Sequence, residues 1–245
     1  ATFRSHWIAV RGSDGMCGRV VTAFDSGIIP RLVDLPDAPG MPTRFNVAPP
    51  QPIYAVRADE RGDRESAYLR WGLIPSWAKD TSKTTGMINA RSETVHEKPS
   101  FKAAFKRRRC IVPITGFYEW QKTPSGKQPH YIHAVDDEPL GGAAIWDVWT
   151  QGEEVYMETC ALLTTDANET VAPVHHRMPV ILDPDIWDIW LDPAMERPSD
   201  VIPFLVPCAP AKLETYPVSR YVNSPRNDDA KCIAADGGDA EGSLF

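Results

Sequence analysis

Cys110-Ile111-Val112-Pro113-Ile114-Thr115-Gly116-Phe117-Tyr118-Glu119-Trp120 is a run of β-branched, apolar and aromatic residues, and it reads as strand. Runs of the same kind lie at Ile53 to Arg57 and Ala67 to Trp71 before it, and at His130 to Ala134, Ala143 to Trp149, Glu154 to Thr164 and Met178 to Leu182 after it. Helical spacing is confined to Ser100 to Arg108, through Phe101, Ala104 and Phe105, and to Pro184 to Leu191, through Ile186, Trp187 and Trp190. Strands outnumber helices without regular β–α–β alternation. The expected fold is therefore a single α+β domain with a mainly antiparallel sheet or barrel core flanked by short helices. The 23 prolines cluster at Pro36 to Pro42, Pro49 to Pro52 and Pro198 to Pro210, which breaks long helices and favours short strands joined by ordered loops. No internal repeat is present.

The 245 residues, 42% hydrophobic and 24% charged, suffice for one sizeable core. No apolar run approaches the roughly 18 residues needed to span a bilayer, and no basic region followed by an apolar one opens the chain, so a cytoplasmic protein without membrane partners is expected. Cys17, Cys110, Cys160, Cys208 and Cys232 are odd in number and scattered, which suggests neither a disulfide framework nor a zinc ribbon. The net charge of −7 opposes a broadly basic nucleic-acid surface, so any such reading must rest on local charge. Ala1 to Gly15, ending in Gly12-Ser13-Asp14-Gly15, is expected to be an appendage, with the domain spanning 16–233 and a disordered tail, rich in Gly, Asp and Ala, over 234–245.

Six blocks carry a more specific signal: Met16-Cys17-Gly18-Arg19, Arg44-Phe45-Asn46-Val47-Ala48-Pro49, Trp71-Gly72-Leu73-Ile74-Pro75-Ser76-Trp77, Asn89-Ala90-Arg91-Ser92-Glu93, Gly116-Phe117-Tyr118-Glu119-Trp120 and His175-His176-Arg177-Met178-Pro179. Together and in this order they resemble the SRAP family, the SOS response-associated peptidases. The resemblance runs from Met16 to about Ile233 and includes Tyr216-Pro217-Val218-Ser219.

The resemblance implies that Cys17, exposed as an amino terminus, traps the ring-opened aldehyde of an abasic site in single-stranded DNA as a thiazolidine. Only a 1,2-aminothiol offers an amine and a thiol to the same carbon. With an α-amine pKa of about 7.7–8.0 and a thiol near 8.5, both nucleophiles are available near neutral pH. Here Cys17 follows sixteen residues and carries an amide in place of the amine, so the expectation requires their removal. Either the extension is an upstream mis-called start, or the domain cleaves itself, or the chain is an inactive precursor; the first is favoured.

The same resemblance implies roles for the other blocks. Glu119, among Phe117, Tyr118 and Trp120, would shuttle protons with a raised pKa; taken alone it reads as a surface carboxylate. His175 would act as acid or base, with His176 structural. Asn89 would position the cysteine or the sugar, although alone it reads as a turn asparagine. Arg91 and Arg177, joined by Arg19, would clamp phosphates. Asn46 and Pro49 would shape the pocket floor. Trp71 and Trp77 would stack bases, Trp71 being equally readable as core; the second aromatic often found after Trp77 in the family is replaced by Ala78. Lys102, Lys106, Arg107, Arg108 and Arg109 form the only dense basic run and are expected to give one positive side.

Alternative readings use the same residues. A cysteine peptidase would take Cys17 as nucleophile, His175 as base and Glu119 as orienting group, with the peptide before Cys17 as substrate of one self-cleavage. A non-covalent module would bind damaged DNA without the amine. A metal site on His130, His133, His175 and His176 is disfavoured, because three-residue spacing on a strand points two side chains to opposite faces. The expectation is a monomer with no metal or organic cofactor, with strand cleavage by β-elimination as a lyase side activity.

Overall fold

The computed structural model describes residues 17–24, 35, 41–59, 61–79, 87–152 and 155–237. Its strands in chain order are β1 (Val20–Thr22), β2 (Arg44–Val47), β3 (Pro52–Ala58), β4 (Arg64–Trp71), β5 (Asn89–Arg91), β6 (Arg109–Ile114) and β7 (Gly116–Thr123). They continue as β8 (Gly126–Ala134), β9 (Leu140–Gln151), β10 (Val155–Asp166), β11 (Arg177–Pro179), β12 (Ile181–Leu182) and β13 (Leu213–Pro217). The helices are α1 (Lys102–Arg107), α2 (Trp187–Leu191) and α3 (Pro198–Val201). None of the described helices is long and apolar enough to cross a membrane.

Five strands close on themselves. β3 pairs antiparallel with β4 and β6, β6 with β9 and β9 with β10, and β10 returns parallel to β4. A closed ring leaves no strand edge to be protected. β5 lies along β10 beyond the end of β4, β11 extends from β10, and β12 from β9. The period-two alternation of strands then separates two cores. Ile53, Ala55, Leu69, Trp71, Cys110, Val112, Ala144, Cys160 and Leu162 gather on one side of the ring. Tyr54, Val56, Ile111, Ala143, Ile145, Ala161 and Leu163 gather on the other, together with Phe105 of α1, Trp187, Trp190 and Leu191 of α2 and Val201 of α3. The helices therefore cover the outside of the barrel, and the first set fills it.

The remaining strands form a second sheet in the order β13-β8-β7-β1-β2, antiparallel throughout. The run from Cys110 to Trp120 is one strand in sequence and two in the fold: β6 belongs to the barrel, Thr115 gives its N–H to the carbonyl of Val21, and β7 enters the second sheet. Gly116 permits this crossing, since a Cβ there would lie 2.5 Å from both the Ile132 carbonyl oxygen and the Tyr131 ring.

The single α+β domain with a mainly antiparallel barrel core is as expected. The basic run, expected to give one positive side, is divided: Lys102, Lys106 and Arg107 are exposed, whereas Arg108 and Arg109 are committed to partners within the fold. Arg109 is buried at the start of β6 and donates to the carbonyl oxygens of Phe105, Lys106, Trp190 and Asp192, with burial lowering its pKa to about 10. Arg108 pairs with Asp147 at 3.0 Å, and Lys106 and Arg107 share Glu196 at 2.8 and 2.5 Å. Of the tail expected at 234–245, Ala235 bridges Val218 and Asp236 donates to the Pro217 carbonyl, while 238–245 lie outside the described residues. The extension 1–15 also lies outside them.

Candidate active site around Cys17

Strand register brings Cys17 to Glu119. β1 pairs with β7 through Val20↔Phe117 and Val21↔Gly116, and Tyr118 donates to the Arg19 carbonyl, so the chain running back from β1 follows β7 onward toward Glu119. The backbone nitrogen of Cys17 donates to Glu119 Oε1 at 2.6 Å. In this chain that nitrogen is a peptide amide; it stands where an α-amine would stand if Cys17 were the first residue. Asn89, carried on β5 against β10, gives its Nδ2 to the Cys17 carbonyl at 3.4 Å. His175 Nδ1 lies 3.8 Å from the same Glu119 oxygen.

A capped turn presents His175. The buried Asn168 accepts the Val171 N–H on Oδ1 and ties its own Nδ2 to the Cys208 carbonyl, and His175 donates its backbone N–H to Val171. Gln121 of β7 fastens this turn through the Pro173 carbonyl. The imidazole Nδ1 accepts the Arg177 N–H at 3.2 Å. Four expected residues, Cys17, Asn89, Glu119 and His175, therefore converge.

Burial dominates the electrostatics. Cys17 and Glu119 are both buried. Loss of solvation pushes the Cys17 thiol well up, the charge and hydrogen bond of Glu119 push it further, and Arg177 partly opposes them. Loss of solvation also raises the Glu119 carboxyl, against the stabilising contacts from Cys17 and the charge of His175. A carboxyl raised in this way gains and loses its proton nearer to neutrality, as a proton shuttle must. At the mouth, His176 is exposed and its ring lies 4.4 Å from that of His175. Its pKa is lowered by partial desolvation and then by His175, Arg177, Arg91 and Lys122. Arg177, Arg91 and Lys122 thus lie near enough to His176 to disfavour its charged form. His176 had been expected to be structural, and Lys122 had carried no signal at all; its strand position beyond Glu119 becomes meaningful only once the turn bearing His176 packs beside it.

Several expected DNA contacts lie elsewhere. Asn46 is fully buried, and its Nδ2 reaches the carbonyls of Val222, Ser224 and Asn227 at 3.0, 3.0 and 2.7 Å. Arg19 gives its guanidinium to Asn46 Oδ1 and to the Val222 and Asn223 carbonyls, and sits 5.8 Å from the Trp120 ring. Both residues anchor the segment 222–227 against the second sheet. Trp71 is core, fully buried, with its indole N–H on the Ile88 carbonyl. Pro49 stands in the turn between β2 and β3, where the Pro49–Pro50 peptide is cis. Arg91 is exposed at the end of β5. The side chain of Arg177 is only 6% exposed, held by both oxygens of Glu93 at 2.5 and 2.9 Å, by Asp166 at 2.7 Å and by the Thr164 carbonyl. Trp77 is 60% exposed. Among the described residues no three His, Cys, Asp or Glu side chains are grouped to hold a metal ion.

The barrel, the second sheet and the cluster of buried Cys17 and Glu119 with half-buried His175 define the class of protein, and the chain belongs to the SRAP family: the model for SOS response associated peptidase matches residues 16–225. Among its relatives, the abasic site processing protein YoaM of Bacillus subtilis is 38% identical over 90% of this chain and 99% of its own length. The abasic site processing protein HMCES of Gallus gallus is 32% identical over 89% of this chain and 77% of its own. A crystal structure of a protein from Bacteroides thetaiotaomicron shares the fold with a TM-score of 0.79 at 24% identity, covering 90% of this chain and all of that one.

Proposed function

We propose that this protein processes abasic sites in single-stranded DNA by covalent capture at Cys17, once the residues before it are removed. The observation that carries the reading is the 2.6 Å contact between the Cys17 nitrogen and the buried Glu119 carboxylate, with His175 3.8 Å beyond. A free amine there attacks the C1′ aldehyde of the opened sugar, and loss of water gives an imine. The thiol adds to the same carbon while its proton passes to nitrogen, so the sum is aldehyde plus aminothiol to thiazolidine plus one water. Glu119 takes and returns protons during dehydration, and His175 assists sugar opening. The imine also acidifies the adjacent C–H, which makes β-elimination the side reaction. The names of the curated relatives and the cations around His176 support an abasic DNA substrate. The protein acts as an intracellular monomer in this reading.

Backbone geometry supports removal of the preceding segment. Cys17 has φ of 38°, the left-handed region, which costs a residue with a Cβ about 1–2 kcal/mol. That torsion is defined by the preceding carbonyl carbon, and cleavage before Cys17 releases it. Glu119 also lies against the nitrogen that would leave in such a cleavage, which favours a single self-processing event as the peptidase activity of this site.

The test is intact mass before and after incubation with a single-stranded oligonucleotide bearing one abasic site, using the full chain, a version starting at Met16, and Cys17→Ala in that version. The Met16 version is expected to lose its methionine and gain the oligonucleotide mass, and the alanine variant to gain nothing. A mature chain with free Cys17 that forms no adduct overturns the proposal.

A further inference from the structure

Trp77 is the most exposed of the described tryptophans, yet the segment 72–78 that carries it is held at several points. Gly72, with φ of 130°, starts the loop and donates to the Cys160 carbonyl. From there alternate residues are fastened by side chains of β9 and β10. The Ile74 N–H donates to Thr159 Oγ1 at 2.9 Å, the Ser76 N–H donates to Asp147 Oδ2 at 2.9 Å, and the Ala78 carbonyl accepts Trp149 Nε1–H at 2.7 Å. Thr159, Asp147 and Trp149 are all buried.

A buried carboxylate is costly unless its oxygens are satisfied. Asp147 meets that requirement with the Ser76 N–H on one oxygen, and with the Val148 N–H and the Arg108 guanidinium on the other. One of its two oxygens is thus directed at a single loop amide, next to an indole left in water. Three independent anchors fix the backbone on both sides of Trp77, so its ring is presented without the ordering cost that a mobile side chain incurs on binding.

We propose that Asp147, with Thr159 and Trp149, forms a clamp that pre-orients Trp77 as a stacking surface for an unpaired base, making Asp147 a positioning residue that acts through Trp77. The inference rests on the single-stranded DNA reading above and adds the part of the barrel that serves it. It also connects Arg108 to binding indirectly: its charge neutralises Asp147 at 3.0 Å in place of meeting a phosphate.

The experiment is a double-mutant cycle on the full chain, read as equilibrium binding of an undamaged single-stranded oligonucleotide by fluorescence anisotropy, with melting temperature measured for every variant. Trp77→Ala, an exposed change, is expected to weaken binding on the order of tenfold to a hundredfold with little change in melting. Asp147→Asn is expected to weaken it roughly 2- to 12-fold in the wild-type background and not at all in the Trp77→Ala background. Trp149→Phe and Thr159→Val, which remove the other two anchors, are expected to follow the same pattern and carry the test if Asp147→Asn does not fold. Cross-linking of the Met16 version at saturating abasic oligonucleotide is expected to proceed at the wild-type rate in every clamp variant. Equal losses from the clamp variants in both backgrounds overturn the proposal, as does undiminished binding by Trp77→Ala. Failure of the wild-type chain to bind any oligonucleotide removes the DNA reading itself, whereas wild-type binding with additive losses removes only the clamp.

Discussion

The barrel and the second sheet are built from the same kind of strand and treat polar groups in opposite ways. Inside the barrel, Ile53, Ala55, Leu69, Val112, Ala144 and Leu162 meet in an almost wholly apolar core, each burying surface worth roughly 1.5–3 kcal/mol for the larger side chains. The second sheet instead buries Glu119 and Asn46, and half-buries Arg19, each fastened to backbone atoms of short segments. The first region supplies stability, and the second spends some of it to keep nitrogen, carboxyl and imidazole within reach of one another. The proposed chemistry lies where the two meet, because Cys17 belongs to the barrel-side core while its nitrogen faces Glu119.

Mutations should divide along the same line. Leu162→Ala, in the barrel core, is expected to cost about 2–5 kcal/mol of stability in chemical denaturation while leaving the cross-linking rate of the folded fraction intact. A loss below 1 kcal/mol would mean that the barrel interior is not the main store of stability. Asn46→Ala removes the donor to three carbonyls and the acceptor for Arg19; a loss of about 1–3 kcal/mol is expected, together with slower capture because Arg19 and the segment 222–227 lose their anchor.

Glu119→Gln separates stability from function. Burial raises this carboxyl, so the folded protein holds the proton more tightly than the unfolded chain does. No penalty exists below the ordinary glutamate range; it grows as pH rises through that range toward the folded value. The glutamine variant should therefore melt a few degrees above the wild type at about pH 7, with the difference vanishing near pH 4, and should capture abasic DNA at least tenfold more slowly. Because Glu119 also raises the Cys17 thiol, alkylation of Cys17 by iodoacetamide should be faster in this variant at a pH where the wild-type carboxyl is ionised. An unchanged alkylation rate would show that Glu119 does not help to raise the thiol.

The smallest effect is expected from Lys106→Ala with Arg107→Ala. These exposed side chains share Glu196, and their loss should change stability by less than about 0.5 kcal/mol and leave single-stranded DNA affinity within about twofold. A tenfold fall in affinity would return the basic run to the DNA surface and move the binding face away from His176.

Fold class and most strand positions were legible because the long strands carry their own signature: β-branched and apolar runs interrupted by proline and glycine declare themselves within a few residues. β1, β2, β5 and β13 escaped, being three to five residues long and defined by partners rather than composition. The identities of Cys17, Asn89, Glu119 and His175 were likewise present in ordered local blocks. Composition also set the charge balance and the cysteine pattern. What the sequence could not contain is which arginines are free. Arg109, Arg108, Arg177 and Arg19 look alike in one dimension, yet each is committed to carbonyls or carboxylates that arrive from distant segments. The same holds for Asn46 and Trp71, whose blocks matched a site while their side chains went to the core. Residue type and strand pattern are local properties that the chain states directly, whereas burial and the choice of partner are set only when segments a hundred residues apart are packed together, as Cys17 and Glu119 are.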